Sequence, residues 1–509
     1  MNDTKRLIVN TISQHLRTAT NIAMSLYSTR LAMEALGKSS YGIYMLIGGV
    51  VSLLLYITSS MVITTQRHLS YSYGKEDAKQ SSLIFQNSYI LHCILGLTIS
   101  AFFFSLTSLL FGHHFLNIDA SQATEARYVY YIVIFTVLMT FIASPFRALL
   151  TARENIVYIS IIDILDGMLK LGLTFLLFYI KDYRLTYYAI ILSAVVIFNF
   201  LALSIYSKIN YREASLLPHP LSFNRTIQRQ LVGFATWTLY GTLCIFMRAQ
   251  GIAIILNRIY GAVMNAAYGI AMQIFGAIQA ISQAVLNAIT PQIIKAEGNN
   301  DREKMLYLSQ QACKYCFFLL AIFAIPIIFE MDTILHIWLK EPPKYTSLFC
   351  RFYIIASLID QITIGLNVSI QAIGKIKNYS IVLYTVKVFT VPIVWILLNA
   401  GLDILYAMIA YVALEAISAM LRISYAKHHV SLNCKLFLHN VALTLPIPVI
   451  AMSFACYVTC LLPEFPLRFL LTGGASTFAG IISLWMWGMS MREKEYIISV
   501  VDNKLRRLT

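Results

Sequence analysis

The sequence predicts an all-α polytopic membrane protein of about fourteen transmembrane helices. They form two six-helix lobes in a parallel pseudo-twofold repeat, with two helices appended. Three observations carry this expectation: a large apolar excess, evenly spaced apolar runs and a repeat between the halves. Of 509 residues, 58% are hydrophobic and only 12% charged, whereas soluble proteins are about a quarter charged. Mean hydropathy is +0.69. A spanning helix takes about 20 mostly apolar residues, and this chain has room for many. In a soluble protein the net charge of +15 would suggest nucleic acid. In a membrane protein it first signals orientation and attraction to anionic lipid headgroups. Membrane lipids are therefore expected partners, and nucleic acid is not.

Apolar runs divide the chain into spans at 10–31, 41–65, 82–111, 127–146, 155–180, 185–206, 231–256 and 262–290. Six more follow at 308–331, 346–373, 378–398, 403–426, 438–461 and 467–490. The first run is too long and too polar for a cleavable leader and is expected to stay as a helix. The longest connection holds Pro218 and Pro220. The expected organisation is thus a lobe over 1–206, a cytoplasmic linker over 207–230, a second lobe over 231–428, and two extra helices with a tail over 429–509. With the N-terminus inside, 24 of the 39 Lys and Arg fall in cytoplasmic segments and eight on the other side. That bias predicts cytoplasmic N- and C-termini.

The repeat is visible in short matches. Tyr41-Gly42-Ile43-Tyr44-Met45 opens span two, and Tyr268-Gly269-Ile270-Ala271-Met272 lies early in span eight. Gly49 then matches Gly276 at the same offset, and Gly74-Lys75-Glu76-Asp77 is echoed by Gly298-Asn299-Asn300-Asp301. The matched spans are six apart, so the halves run in the same sense, as in carriers whose site lies between two repeats.

Polar stripes mark where such a site would be. On span one Asn10, Gln14, Arg17, Asn21, Ser25 and Ser28 share a face at helical spacing. An arginine at mid-membrane depth costs about 2.5–3.5 kcal/mol on insertion scales, so Arg17 should face a wet cavity or a partner. Arg30 lies near the outer end of the same span. Span eight carries Asn265, Gly269, Gly276, Gln279, Gln283, Asn287 and Thr290 on one face. Amides supply both donors and acceptors and suit hydroxyl-rich ligands, although small and amide residues also glue helices together. Trp237 and Arg248 share a face of span seven.

Carboxylates inside the spans are candidates for ion coupling through H+ or Na+: Asp360, Glu415 and Asp163. Asp166 and Lys170 are i,i+4 partners, with Asp163 on the same face. Lys387 or Arg351 could neutralise Asp360 or Glu415, and Glu415 shares a stripe with Arg422. Cys313 and Cys316 form a CxxC without a second pair or nearby His, which reads as packing. Gly37-Lys38-Ser39 lacks the earlier glycine and the preceding strand of a phosphate-binding loop. No ATPase and no cofactor is expected.

These residues resemble a known family. Arg17, Ser25-Leu26-Tyr27-Ser28-Thr29-Arg30 and Leu36-Gly37-Lys38-Ser39-Ser40-Tyr41-Gly42-Ile43-Tyr44 are similar to the opening of polysaccharide flippases. Gln66-Arg67, Gly74-Lys75, Ser144-Pro145, Ala152-Arg153-Glu154 and Leu169-Lys170 continue the similarity. These flippases belong to the multidrug/oligosaccharidyl-lipid/polysaccharide exporter superfamily. The resemblance implies translocation of undecaprenyl-pyrophosphate-linked oligosaccharide across a bacterial inner membrane by alternating access. Its setting would be O-antigen or capsule biosynthesis, beside polysaccharide polymerase machinery. It also implies that Arg17, and Arg30 after it, are cavity arginines. Arg248 is added by its depth and face.

Two alternatives stand beside this. A multidrug/cation antiporter of the same superfamily would want an uncompensated carboxylate in the N-terminal cavity, where Arg17 dominates. A polytopic membrane glycosyltransferase would need a catalytic carboxylate on an outward loop, and these loops are short. The chain is therefore not expected to be an enzyme.

Overall fold

The computed structural model describes residues 3–112, 120–214, 223–260, 262–339, 342–463, 467–489, 491 and 493–495. Some side chains inside helices, many of them within 3–56 and Ser25, Arg30 and Asn265 among them, lie outside the described residues. The described chain is almost wholly helical. Cα packing divides it into two compact units, Met1–Leu243 with Asn287–Arg302, and Cys244–Leu286 with Glu303–Thr509. The division points Leu243/Cys244 and Leu286/Asn287 fall inside helices.

The helices run in order as α1 Asp3–Gly74, α2 Ala78–Ser105, α3 Thr107–Gly112, α4 Ala120–Ala152, α5 Ile156–Thr174 and α6 Arg184–Asn210. Next come α7 Arg225–Tyr260, α8 Ala262–Gly298, α9 Arg302–Phe329, α10 Met331–Leu339, α11 Thr346–Gln361 and α12 Ile364–Ile373. The last are α13 Lys377–Val388, α14 Thr390–Asn399, α15 Ile404–Val430, α16 Cys434–Asn440, α17 Pro446–Cys460 and α18 Arg468–Ser483. Among the described residues, ten helical segments are long and apolar enough to cross a membrane. An eleventh is α11 with α12, a span bent by 47°. The protein is thus a multi-pass membrane protein. The count of fourteen is not reached by length and apolarity alone. The three remaining expected spans fall on α1 and α5, and α5 carries Asp163, Asp166 and Lys170 within 19 residues.

Spans one and two are joined without irregular backbone between them. The run Asp3–Gly74 is helical through its 72 residues, yet it doubles back on itself, because Asn10 donates to the Glu154 carbonyl at 2.9 Å while Arg153 lies over the Tyr73 ring at 3.9 Å. Elsewhere the ends are set by ordinary caps. Asp77 accepts from the Gln80 N–H at 2.8 Å, Asp403 from Leu405 at 2.8 Å, and Asn433 from Lys435 and Leu436. Such side chains satisfy the orphan donors of a first turn. Gly374, at φ +84°, closes α12 in the left-handed region.

In the first unit the helices pack around Leu69, Phe85, Phe146, Leu149, Leu150 and Leu203. The ends of α1 and α8 meet there at two glycines. A Cβ on Gly74 would lie 2.1 Å from the Lys295 carbonyl oxygen, and one on Gly298 2.2 Å from that of Tyr71. This is one of the glycine pairs matched by the sequence repeat, so repeat-equivalent positions touch here. Past α6, Glu213 accepts from Tyr73 at 2.6 Å and from Arg153 Nε at 2.8 Å. Burial alone would raise its carboxyl, but the bonds from Tyr73, its own backbone and Arg153 hold it below the ordinary range.

In the second unit the core lies around Tyr268, Phe349, Tyr353, Leu320 and Tyr411. The appended pair α17 and α18 is tied to the α9–α10 junction by one buried carboxylate. Glu330 accepts from Arg468 Nε at 2.9 Å and Nη2 at 3.0 Å, and from Thr472 at 2.9 Å. Glu493 does the same further along, accepting from Lys314 at 2.8 Å. Arg351, a possible partner for Asp360 or Glu415 by sequence, instead binds Asp332 at 2.8 Å.

Candidate functional site

The first unit contains a cavity of about 580 Å³ whose lining includes Gln14, Arg17, Gln66, Arg147, Asp166 and Asn287. The polar stripe of span one runs along its wall and continues beyond it. Asn10 donates to the Glu154 carbonyl at 2.9 Å. Arg17 Nη1 donates to Asp163 Oδ2 at 2.8 Å. Asn21 and Ser28 line a second space of about 290 Å³ together with Asp166 and Lys170. The helical spacing of Arg17, Asn21 and Ser28 is what turns all three toward α5.

Asp163 is shared. Arg147 Nη1 donates to Oδ2 at 3.0 Å and its Nη2 donates to Oδ1. The expected i,i+4 pair is also present, Lys170 Nζ lying 2.7 Å from Asp166 Oδ2. Three cations therefore face two carboxylates around these connected walls, an excess of one positive charge. Gln14 is 5% exposed, and among the described residues neither its Oε1 nor Asn21 Oδ1 has a hydrogen-bond partner. Buried acceptors of this kind normally have a partner, so both amides are poised for a donor from a ligand.

Arg147 was not among the site residues expected from the sequence, where it counted as a cytoplasmic charge just past span four. In the structure α4 continues through Pro145 to Ala152, so Arg147 stays on the helix and reaches inward. The signal available was Pro145 itself, which need not end a membrane helix. Asn287 reaches the cavity as well. Trp237 is half-buried, edge-on to Tyr240 with ring centroids 6.1 Å apart, and lies outside the cavity lining. The Arg30 side chain lies outside the described residues.

In the second unit, Arg248, Asp360 and Glu415 come together. Arg248 Nη1 donates to Glu415 Oε2 at 2.8 Å and lies over the Tyr411 ring at 4.7 Å. Lys387 donates to Glu415 Oε1 and, at 3.2 Å, to Asp360 Oδ1. Arg422 Nη2 donates to the same Asp360 oxygen at 3.0 Å. The break between α11 and α12 explains Arg422's position. Residues 362–363 leave the regular helix, and Arg422 Nη1 donates to Thr363 Oγ1 at 2.8 Å and to the Asp360 carbonyl at 3.3 Å. Irregular backbone at membrane depth needs such a partner. Each carboxylate thus holds two cations. Gln279 and Gln283 lie along the more open face of α8 with Gly269 and Gly276, beside which a Cβ would meet nothing within 4 Å.

No protein-family model matches the chain, and no curated protein matches it. Solved structures do. A MATE in complex with MaL6 aligns with TM-score 0.72 at 14% identity, covering 85% of this chain and 97% of its own. A MOP superfamily transporter from Pyrococcus furiosus, described as having a binding pocket of reversed polarity that suggests a different function, aligns at 0.71 and 14%, covering 85% and 96%. An outward-facing multidrug resistance MATE family transporter of the MOP superfamily aligns at 0.70 and 14%, with the same coverage. The fold is therefore that of MATE transporters of the MOP superfamily.

Proposed function

We propose that the protein is an alternating-access membrane transporter that carries an anionic amphiphile, a lipid-linked oligosaccharide bearing pyrophosphate. The observation that carries this reading is the cation excess of the first-unit cavity, with Arg17 and Arg147 converging on one point. Arginine's planar fork meets phosphate oxygens bidentately. The amide oxygens of Gln14 and Asn21, without a partner among the described residues, suit sugar hydroxyls, and Asn287 in the same cavity lining extends that supply. The resemblance of residues 1–180 to polysaccharide flippases supports the same substrate and a bacterial inner-membrane setting.

The second reading is a multidrug/cation antiporter. The solved neighbours support it more directly than they support lipid-linked oligosaccharide flipping, because one of them is described as a multidrug resistance transporter. Against it stands the sign of the cavity charge, since an organic cation needs a carboxylate that no cation already holds. Asp163, Asp360 and Glu415 are the coupling candidates under either reading. Protonating Asp163 would strand Arg17 and Arg147, and protonating Glu415 or Asp360 would strand Arg248 or Arg422 while Lys387 keeps the other carboxylate, so the geometry favours ion-pair partners for Asp360 and Glu415.

Arg17→Ala separates the readings. Asp163 keeps Arg147, so the fold should survive, while the substrate loses a contact of about 1.5–3 kcal/mol, the scale of a hydrogen bond to a charged group. Surface polysaccharide should fall at unchanged protein level in the membrane, with Arg17→Lys restoring it only in part. Unchanged export, or a gain of drug sensitivity instead, would favour the antiporter.

A further inference from the structure

The two cavity arginines are occupied by a group that imitates a phosphate. Asp163 Oδ2 accepts from Arg17 at 2.8 Å and from Arg147 at 3.0 Å, and Oδ1 accepts from Arg147. Each guanidinium offers five N–H donors in a rigid fork, so three bonds leave most of this capacity open. Both arginine side chains line the 580 Å³ cavity and are partly exposed, at 20% and 32%, against 14% for Asp163. Buried Gln14, with its Oε1 unpartnered among the described residues, lines the same space.

We propose that Asp163 is a built-in stand-in for the substrate's anion. It holds Arg17 and Arg147 while the cavity is empty, yields them to phosphate oxygens when the ligand enters, and takes them back on release. The inference rests on the reading of an anionic substrate. The physical logic is exchange. An arginine pair left unpaired within the membrane would be costly, whereas swapping one carboxylate for one phosphate keeps both guanidinia paired throughout. The same competition weakens the grip on the ligand, as a carrier that must release its load requires.

The test uses the full-length protein purified in detergent, with inorganic pyrophosphate as the probe and calorimetry as the readout. Asp163→Asn keeps the shape and removes the competing charge. It should bind pyrophosphate about tenfold or more tighter than wild type, the scale of one charge-assisted hydrogen bond. Arg147→Gln should weaken binding, and more so in the Asp163→Asn background, where ligand alone engages the fork. Should the Asn variant be unstable by itself, pyrophosphate present throughout purification should restore its thermal transition. Equal or weaker binding by Asp163→Asn, with wild-type binding intact and lost in Arg17→Ala, overturns the stand-in but leaves the anion-carrying reading. An Asn variant that pyrophosphate does not restore also overturns it, because the carboxylate is then structural. No pyrophosphate binding by wild type or any variant overturns both.

Discussion

Replacing Glu415 with alanine should cost about 3–5 kcal/mol of folding stability, the range for removing one partner of a buried ion pair. Glu415 is 3% exposed and serves both Arg248 and Lys387. Its loss leaves Arg248 with no carboxylate among the described residues, and moves Lys387 wholly onto Asp360. Asp360 then faces Lys387 and Arg422 alone. Removing charge on both sides should be milder: Arg248→Met with Glu415→Leu takes away a cation and an anion of similar bulk, so less than half of the single-variant loss is expected. An exposed pair provides the contrast. Asp332 in its pair with Arg351 is 62% exposed, and Asp332→Ala should cost only about 0–1 kcal/mol. Thermal unfolding of the purified protein in detergent ranks the three variants. A Glu415→Ala loss no larger than that of Asp332→Ala would mean the second-unit network is not the electrostatic core described above.

The contact of Gly74 with Gly298 should be nearly as sensitive. A methyl group on either glycine would fall 2.1–2.2 Å from a backbone oxygen, and helix backbone cannot rotate away as a side chain can. The ends of α1 and α8 would have to separate, at about 1–3 kcal/mol or more for such overpacking. The double variant should cost clearly less than the sum, because the first alanine already forces the gap. Gly233 is the control. Nothing lies within 4 Å of its would-be Cβ, so Gly233→Ala in the interior of α7 should be neutral or stabilise by about 0.5–1 kcal/mol. Melting temperatures of the four proteins decide this, and additive losses at Gly74 and Gly298 would argue against a shared contact.

The parts of this site that were legible in the sequence follow from local periodicity. Arg17, Asn21 and Asp163 stand out because a polar stripe on an apolar helix has few places to point, and the Asp166–Lys170 pair is written into one helical turn. Arg147 was hidden for a simple reason. Hydropathy drops where charge begins, but backbone hydrogen bonding does not, and α4 runs six residues beyond the expected end of span four. By sequence Arg422 only shares a stripe with Glu415, while Lys387 or Arg351 are the expected partners of the carboxylates. The carboxylate that Arg422 holds, Asp360, is 62 residues away, and the helix break that draws Arg422 there is a tertiary feature with only Thr363 as its mark. The glycine contact was within reach, since both glycines stand in the repeat. That repeat-equivalent positions touch needs the packing.

The most direct measurement of the central claim is transport by the purified protein in sealed vesicles, offering two labelled cargoes side by side. One is an undecaprenyl-pyrophosphate-linked oligosaccharide, and the other a lipophilic cationic dye under an imposed proton or sodium gradient. A cavity with excess positive charge at Arg17, Arg147 and Lys170 predicts that the lipid-linked sugar changes leaflet. That movement should drop by about tenfold or more in Arg17→Ala, and the dye should not accumulate. Gradient-driven dye accumulation without movement of the lipid-linked sugar would contradict the account and establish the antiporter in its place.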